Sequence, residues 1–376
     1  MQLLPRVFLN SVDAENCANE RYQIYLDRKV GRLRELLKPH YKEGVEVFSS
    51  APDGFRMRAE FRIWHDSQGA NFAMTHAGEK RPYIIRAFPI GNALIADLMP
   101  PLLAAINVSE ILAKRLFAVE FLTTLSGEAL ITLLYHRRLD SHWEQTASSL
   151  QQNLGVSVIG RSRKQVCILQ RNYVNEVLEV GSRFLYYRQV ESGFTQPNAK
   201  INQKMLAWAD RNCTHSKGDL LELYCGNGNF TVALARNFQR VLATEVSKVS
   251  AACARHNLSF NDIHNVQLVR MSSEDLTLAL DRVRPFRRLA DIDLDGFNFS
   301  TILVDPPRAG LDTGTLSLAA RFQWIIYISC NPASLIANLE TLRHTHSIAA
   351  VAAFDQFPWT DHLEVGLLLE RRSTAG

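Results

Sequence analysis

The sequence predicts an α+β half over residues 1–190 and a doubly wound α/β half over residues 191–376. Three observations predict it. From Asp219 onward, short apolar runs alternate with helical periods, as in a parallel sheet whose helices cross between strands. The first of these runs, ending at Tyr224, enters a glycine-rich turn, and an acid, Glu245, ends a later run about 20 residues on. Upstream, Phe55 to Trp64 alternates polar and apolar residues with period two, the mark of a half-buried strand.

Taken in order, residues Glu15 to about Leu37 carry helical periodicity with alternating charges. In the strand at 55–64, Arg56, Arg58, Glu60 and Arg62 share the polar face, while Phe55, Met57, Ala59, Phe61 and Ile63 point into a core. A helix near 90–106 follows. Residues 116–125 and 128–136 read as a hairpin around Ser126-Gly127, and another helix with short strands near 156–170 completes this half. Downstream, strands are expected at 219–224, 241–245, 266–269, 301–304 and 325–329, with helices at 230–237, 248–260 and near 332–343. Two more apolar runs, 348–354 and 363–369, close the chain as strands.

At 376 residues the chain can hold two cores, and 47% hydrophobic with 21% charged residues excludes a disordered or fibrous protein. No apolar run approaches membrane-spanning length. The stretch Met1–Asn10 lacks a sustained apolar core and soon meets Asp13 and Glu15, which argues against a signal peptide, so a cytoplasmic protein is expected. Six cysteines (17, 167, 213, 225, 253 and 330) are scattered without CxxC or Cys/His spacing; neither disulfides nor a metal is expected. The net charge of +4 is compatible with an anionic partner.

The chemistry gathers at strand ends. Ile325-Ile-Tyr-Ile-Ser-Cys330-Asn-Pro332 is an apolar run that stops at a cysteine, with a proline that can open a helix. Cys330 therefore sits at a strand's carboxyl end, where open α/β sheets put their active sites, and the following helix dipole should favour its thiolate. Glu222-Leu-Tyr-Cys-Gly226-Asn-Gly228 departs from GxGxxG; ExxxGxG suits the adenosine and methionine parts of S-adenosylmethionine better than a pyrophosphate, and Glu245 can accept hydrogen bonds from ribose hydroxyls. Asp305-Pro-Pro-Arg308 ends another buried strand in a rigid loop, which suggests a methyltransferase acting on a base. Amino-methylating enzymes place an aromatic after the two prolines to stack the base. Arg308 stands there instead, so carbon methylation is the better reading. C5 of uracil is a poor nucleophile until a thiolate adds at C6, which gives Cys330 a task. The C5 proton must then leave, and Glu364, at the start of the last strand, is the best-placed carboxylate by sequence order.

Phe194-Thr-Gln-Pro-Asn198, Glu222 to Phe230, Val304-Asp-Pro-Pro-Arg308, Ile328-Ser-Cys-Asn-Pro332 and Phe354-Asp-Gln-Phe-Pro358 closely resemble the bacterial tRNA (uracil-5-)-methyltransferases. Residues 57–65 and Tyr135-His136 resemble the same family, so the likeness covers nearly the whole chain. It implies a Rossmann-like class I S-adenosylmethionine-dependent methyltransferase domain preceded by an α+β RNA-binding domain. It further implies Cys330 as nucleophile, Glu364 as proton acceptor, and Gln196, Tyr224, Asn229, Glu245 and Asp305 as cofactor-binding residues. Phe117 resembles an aromatic that stacks on the target region of the RNA, and Arg56, Arg58 and Arg62, with Arg161, Arg163 and Lys164, are candidates for phosphate contact. The implied substrate is the T-loop uridine of tRNA, with the equivalent loop of transfer-messenger RNA as a second, and a monomer is expected. The alternatives are the same chemistry on 23S rRNA, or a non-catalytic RNA-binding or folding module. The cysteine-ligated cluster and the OB-like module usual in the rRNA enzymes are not visible in the sequence. The role of Arg282, Arg284, Arg287 and Arg288 is not legible.

Overall fold

The computed structural model describes residues 11–76, 78–79, 81–214 and 218–373, with residues 11–18 described by their backbone alone. The stretch Met1–Asn10, on which the argument against a signal peptide rests, lies outside the described residues.

The first of two large sheets has seven strands, in the order 83–84, 69–74, 58–66, 116–123, 129–135, 157–162 and 165–168. Its central hairpin pairs Thr123 with Ala129 across Ser126-Gly127. Ala129–Tyr135 then runs parallel to Ser157–Ser162, because the helix Ser141–Leu154 crosses between them. That helix opens where the Asp140 side chain accepts Trp143 N–H, and ends at Gly155 in the left-handed region (φ +67°). Its apolar stripe of Trp143, Ala147 and Leu150 joins Leu98, Leu102 and Ile106 of the helix Ala93–Val108 in the core of this sheet.

The second sheet has eight strands, in the order 46–48, 346–354, 364–371, 324–329, 299–304, 219–223, 241–244 and 266–269. Five of them (219–223, 241–244, 266–269, 299–304 and 324–329) are parallel, and 364–371 is antiparallel to both of its neighbours. Every residue of 219–223 and 241–244 is buried, as a strand covered on both faces requires. The chain winds outward from 219–223 to 266–269, then crosses back to lay 299–304 on the other side of 219–223. Strand order reverses there, and at such a switch point a crevice opens beyond the carboxyl ends.

Several features differ from the sequence expectation. The helix Ser11–Leu37 packs Tyr22, Leu26, Val30, Leu33 and Leu37 into the core of the second sheet, and Glu46–Phe48 adds a parallel strand beside Ala352–Phe354. Residues 11–50 thus depart from the division expected at residue 190: an amphipathic helix takes whichever apolar face is uncovered. Gly69–Met74 is a strand, and Tyr173–Val180 pairs with Arg183–Val190 in a further hairpin; neither was expected. That hairpin braces the second sheet's helices, with Tyr186 N–H donating to Asn261 Oδ1 and Arg188 N–H to Asn257 Oδ1. The strand expected from Phe55 begins only at Arg58, because Met57 N–H is taken by the Pro197 carbonyl at 2.8 Å. This bond ties the Gln196 loop to the first sheet.

Candidate active site

Four strand ends and one strand start converge on the crevice. Strand 219–223 delivers Tyr224 and the glycine turn, 241–244 delivers Glu245, 299–304 delivers Asp305, 324–329 delivers Cys330, and 364–371 begins with Glu364. The final register pair of strands 324–329 and 364–371 is Ser329 with Val365, so the next step brings Cys330 alongside Glu364. Antiparallel insertion of the last strand is what makes a carboxylate from its start meet a thiol from its neighbour's end.

Local sequence explains each position. Asn331 caps the helix Pro332–Leu342 by accepting Ala333 N–H, with Pro332 in its first turn, and its Nδ2 donates to the Arg308 carbonyl at 2.9 Å. Asn331 thereby locks the Asp305-Pro-Pro-Arg308 loop against the cysteine. Asn338, on the same helix, accepts from Tyr327 Oη and Leu311 N, securing both flanks. The glycine turn needs φ > 0 at Tyr224 (+62°), Gly226 (+57°) and Gly228 (+81°). A Cβ at Gly226 would meet nothing within 4 Å, so this turn faces open space that a ligand can enter.

Glu245 accepts Gly226 N–H (2.9 Å) and Ser247 N–H (2.6 Å), which leaves lone pairs on both oxygens for further donors. Tyr224 Oη bonds Ser273 Oγ at 2.7 Å, and Asn229 exchanges amide bonds with Asn202. Gln196 is half-buried in the loop that Met57 anchors. Sequence reasoning passed over Glu222, the acid that opens ExxxGxG. It is 1% exposed, and both its carboxylate oxygens are buried without a hydrogen-bond partner among the described residues. The remaining lone pairs of Glu245 and the open space at Gly226 fit a ligand that carries donors, as S-adenosylmethionine does.

The electrostatics correct one expectation. Helix-dipole reasoning favoured the Cys330 thiolate, yet burial, with Glu364 and Asp305 close by, pushes the thiol above its ordinary value, and Arg308 only partly offsets them. Burial, then Asp305, pushes Glu364 from 4.5 up to about 8; burial alone pushes Asp305 from 3.8 up to about 7; and burial leads in pushing Glu222 from 4.5 up to about 8. Asp305 and Glu364, both with raised values, flank the thiol, and such buried carboxyls mark a candidate functional site.

The expected arginine face is divided. Arg58 turns inward to Glu120 and donates to the Glu191 and Gly193 carbonyls (both 2.6 Å), while Arg56 Nε donates to the Arg58 carbonyl at 2.9 Å. Only Arg62 is exposed, its guanidinium 5.3 Å from the Phe117 ring centre. Arg56 and Arg58 are thus joints of the fold: period two assigns a face and says nothing of what covers it. Phe117 also meets His136 edge-on at 4.5 Å, and both line a cavity of about 970 Å³ with Arg137, Arg138, Arg161, Arg163 and Lys164. Arg161 pairs with Glu191; Arg138, Arg163 and Lys164 are exposed. Three of the four arginines of the unread cluster pair locally: Arg282 with Asp295, Arg284 with Asp275, and Arg288 with the Arg270 carbonyl.

No helix among the described residues is long and apolar enough to cross a membrane. Residues 21–372 match the model of the tRNA (uracil-5-)-methyltransferase family. The chain is 53% identical over 351 residues (93% of this chain, 96% of the relative) to a tRNA/tmRNA (uracil-C(5))-methyltransferase of Cellvibrio japonicus. It is 50% identical over 363 residues (95% and 99%) to one of Serratia proteamaculans. The fold resembles the crystal structure of Pyrococcus abyssi tRNA (uracil-54, C5)-methyltransferase in complex with S-adenosyl-L-homocysteine, with a TM-score of 0.70, 19% identity, and coverage of 93% of this chain and 83% of that one. A match along almost its entire length to one family model, on a sheet of Rossmann-like methyltransferase order, means that this chain belongs to the tRNA (uracil-5-)-methyltransferase family.

Proposed function

We propose that this enzyme methylates C5 of the T-loop uridine of tRNA, and the equivalent loop of transfer-messenger RNA, through a covalent Cys330 adduct at C6. The observation that carries the reading is the meeting of Cys330 with Glu364 at the end of the sheet where Asp305 and the glycine turn also lie. Gln196, Tyr224, Asn229, Glu245 and Asp305 would hold S-adenosylmethionine, which supplies an electrophilic methyl group and a positive sulfur. Cys330 Sγ adds to C6 and makes C5 nucleophilic. Once C5 carries the methyl group, Glu364 accepts the C5 proton; the C–H electron pair becomes the C5=C6 double bond, the C6–S bond breaks and the thiolate returns. The target base must leave its stack to reach this crevice. We assign RNA capture to residues 51–190, where Phe117 and Arg62 stand beside the basic cavity of Arg138, Arg163 and Lys164.

Methyl transfer to T-arm hairpins and to 23S rRNA fragments, compared at equal concentration, tests the substrate. Preference for the T arm supports the reading, and preference for rRNA refutes it. RNA carrying 5-fluorouridine, which has no removable C5 proton, tests the adduct: a gel-stable complex is expected with the native enzyme and none with Cys330→Ala.

A further inference from the structure

We infer that Lys29, on the amino-terminal helix Ser11–Leu37, is a positioning residue for Glu364, and that it fixes the turn which delivers this carboxylate. The inference rests on the proposed role of Glu364. The turn joins strand 346–354 to strand 364–371, so residues 355–363 decide where Glu364 begins. Lys29 is 3% exposed and spends its three N–H donors on this turn: Nζ contacts Asp355 Oδ1 and donates to the Phe357 carbonyl (3.1 Å) and the His362 carbonyl (3.3 Å). It therefore grips the entry, the middle and the exit of the turn, the last contact two residues before Glu364.

The rest of the helix face supports the same turn. Tyr22 and Tyr25 pack edge-on against Trp359 at 6.0 and 5.8 Å, and Arg28 and Arg32 meet Asp361. Residues 22, 25, 29 and 32 recur at helical spacing, so one stripe of the helix acts as a splint. The arginine pairs are exposed and individually weak, whereas the lysine is enclosed. Without it, the buried Asp355 carboxylate and the His362 carbonyl lose this donor, the Phe357 carbonyl keeps its bonds from Thr360, and the turn must shift to restore the contacts. Proton transfer needs hydrogen-bond reach, so a shift of about 1 Å at Glu364 slows proton removal on the order of 100-fold and leaves the earlier steps alone.

The test uses the full-length enzyme, T-arm hairpin RNA and methyl-labelled S-adenosylmethionine. Lys29→Met/Asp355→Leu removes both partners, so no buried charge is left unpaired, and Asp355→Asn, nearly isosteric, is the second variant. Each is normalised to the fraction that forms the 5-fluorouridine adduct, so misfolded molecules are not scored. Expected are an unchanged KM for RNA, a kcat lowered about 10- to 100-fold for the double variant and less for Asp355→Asn, and accumulation of the methylated covalent complex. A lowered kcat without that complex, or turnover at the native rate, overturns the inference. Glu364→Gln runs in parallel: if it too fails to accumulate the complex, the reading of Glu364 falls; if it accumulates while both other variants turn over normally, only the role of Lys29 falls.

Discussion

Replacing Glu364 by Gln should stabilise the cofactor-free enzyme while stopping its turnover, and the size of the gain follows from burial. Glu364 is 6% exposed and its carboxyl moves from an ordinary 4.5 to about 8. Between those values the unfolded chain has lost the proton and the folded chain keeps it. The folded state then binds more protons, so stability falls as pH rises from about 4.5 to about 8, by about 1.4 kcal/mol per unit. At pH 7 the cost is about 3 kcal/mol, and coupling to Asp305 shares part of it. A glutamine does not titrate, so the variant should gain less than about 1 kcal/mol over the native enzyme at pH 5 and about 2–3 kcal/mol at pH 7. Denaturant unfolding of both proteins at half-unit steps from pH 5 to 8 reads the difference directly. Glu222 and Asp305 titrate in the same direction, so it is the divergence between the two curves that counts. Parallel curves, or a native enzyme that grows more stable across this range, would refute the argument. The same protein should accumulate a methylated covalent complex with ordinary uridine RNA, since its lesion comes after methyl transfer.

Cys330→Ala should lose methyl transfer and keep S-adenosylhomocysteine affinity within about twofold by calorimetry; a large loss of affinity would make the thiol part of the cofactor site. Because the Cys330 thiol lies above its ordinary value, only the deprotonated fraction adds to C6, and the rate of 5-fluorouridine adduct formation should climb with pH from 6.5 to 8.5; a flat profile removes thiolate addition as the limiting event. Arg58→Ala should lower stability by about 2–4 kcal/mol, because Glu120 and two carbonyls lose a half-buried partner, whereas Arg62→Ala and Lys164→Ala should each reduce the salt slope of RNA binding by about 1 and leave stability unchanged. The reverse pattern would restore an exposed arginine face. Gly366→Ala places a Cβ 2.8 Å from Trp208 beside Glu364 and should cost about 1–3 kcal/mol in chemical unfolding; full native stability would mean that Trp208 yields freely.

The sequence by itself determined the parallel sheet and where along it most of the candidate site residues fall. Each motif is local: a strand, the turn at its carboxyl end, and the first residues of a helix lie within about ten positions, so Tyr224, Glu245, Asp305 and Cys330 are read with their surroundings. What only the tertiary structure decided depends on contacts between distant segments. Alternation put Arg56, Arg58 and Arg62 on one face, but Glu120 and the carbonyls of 191 and 193 arrive from elsewhere to cover Arg58. The helix 11–37 announced an apolar stripe without naming its partner, and Lys29 gave no sign that its ammonium lies buried against residues 355–362. The thiol of Cys330 shows the same limit in energetic form. A helix start after Asn331 argues for thiolate, and it is outweighed by burial together with carboxylates from two other strands, a balance that exists only once those strands are side by side.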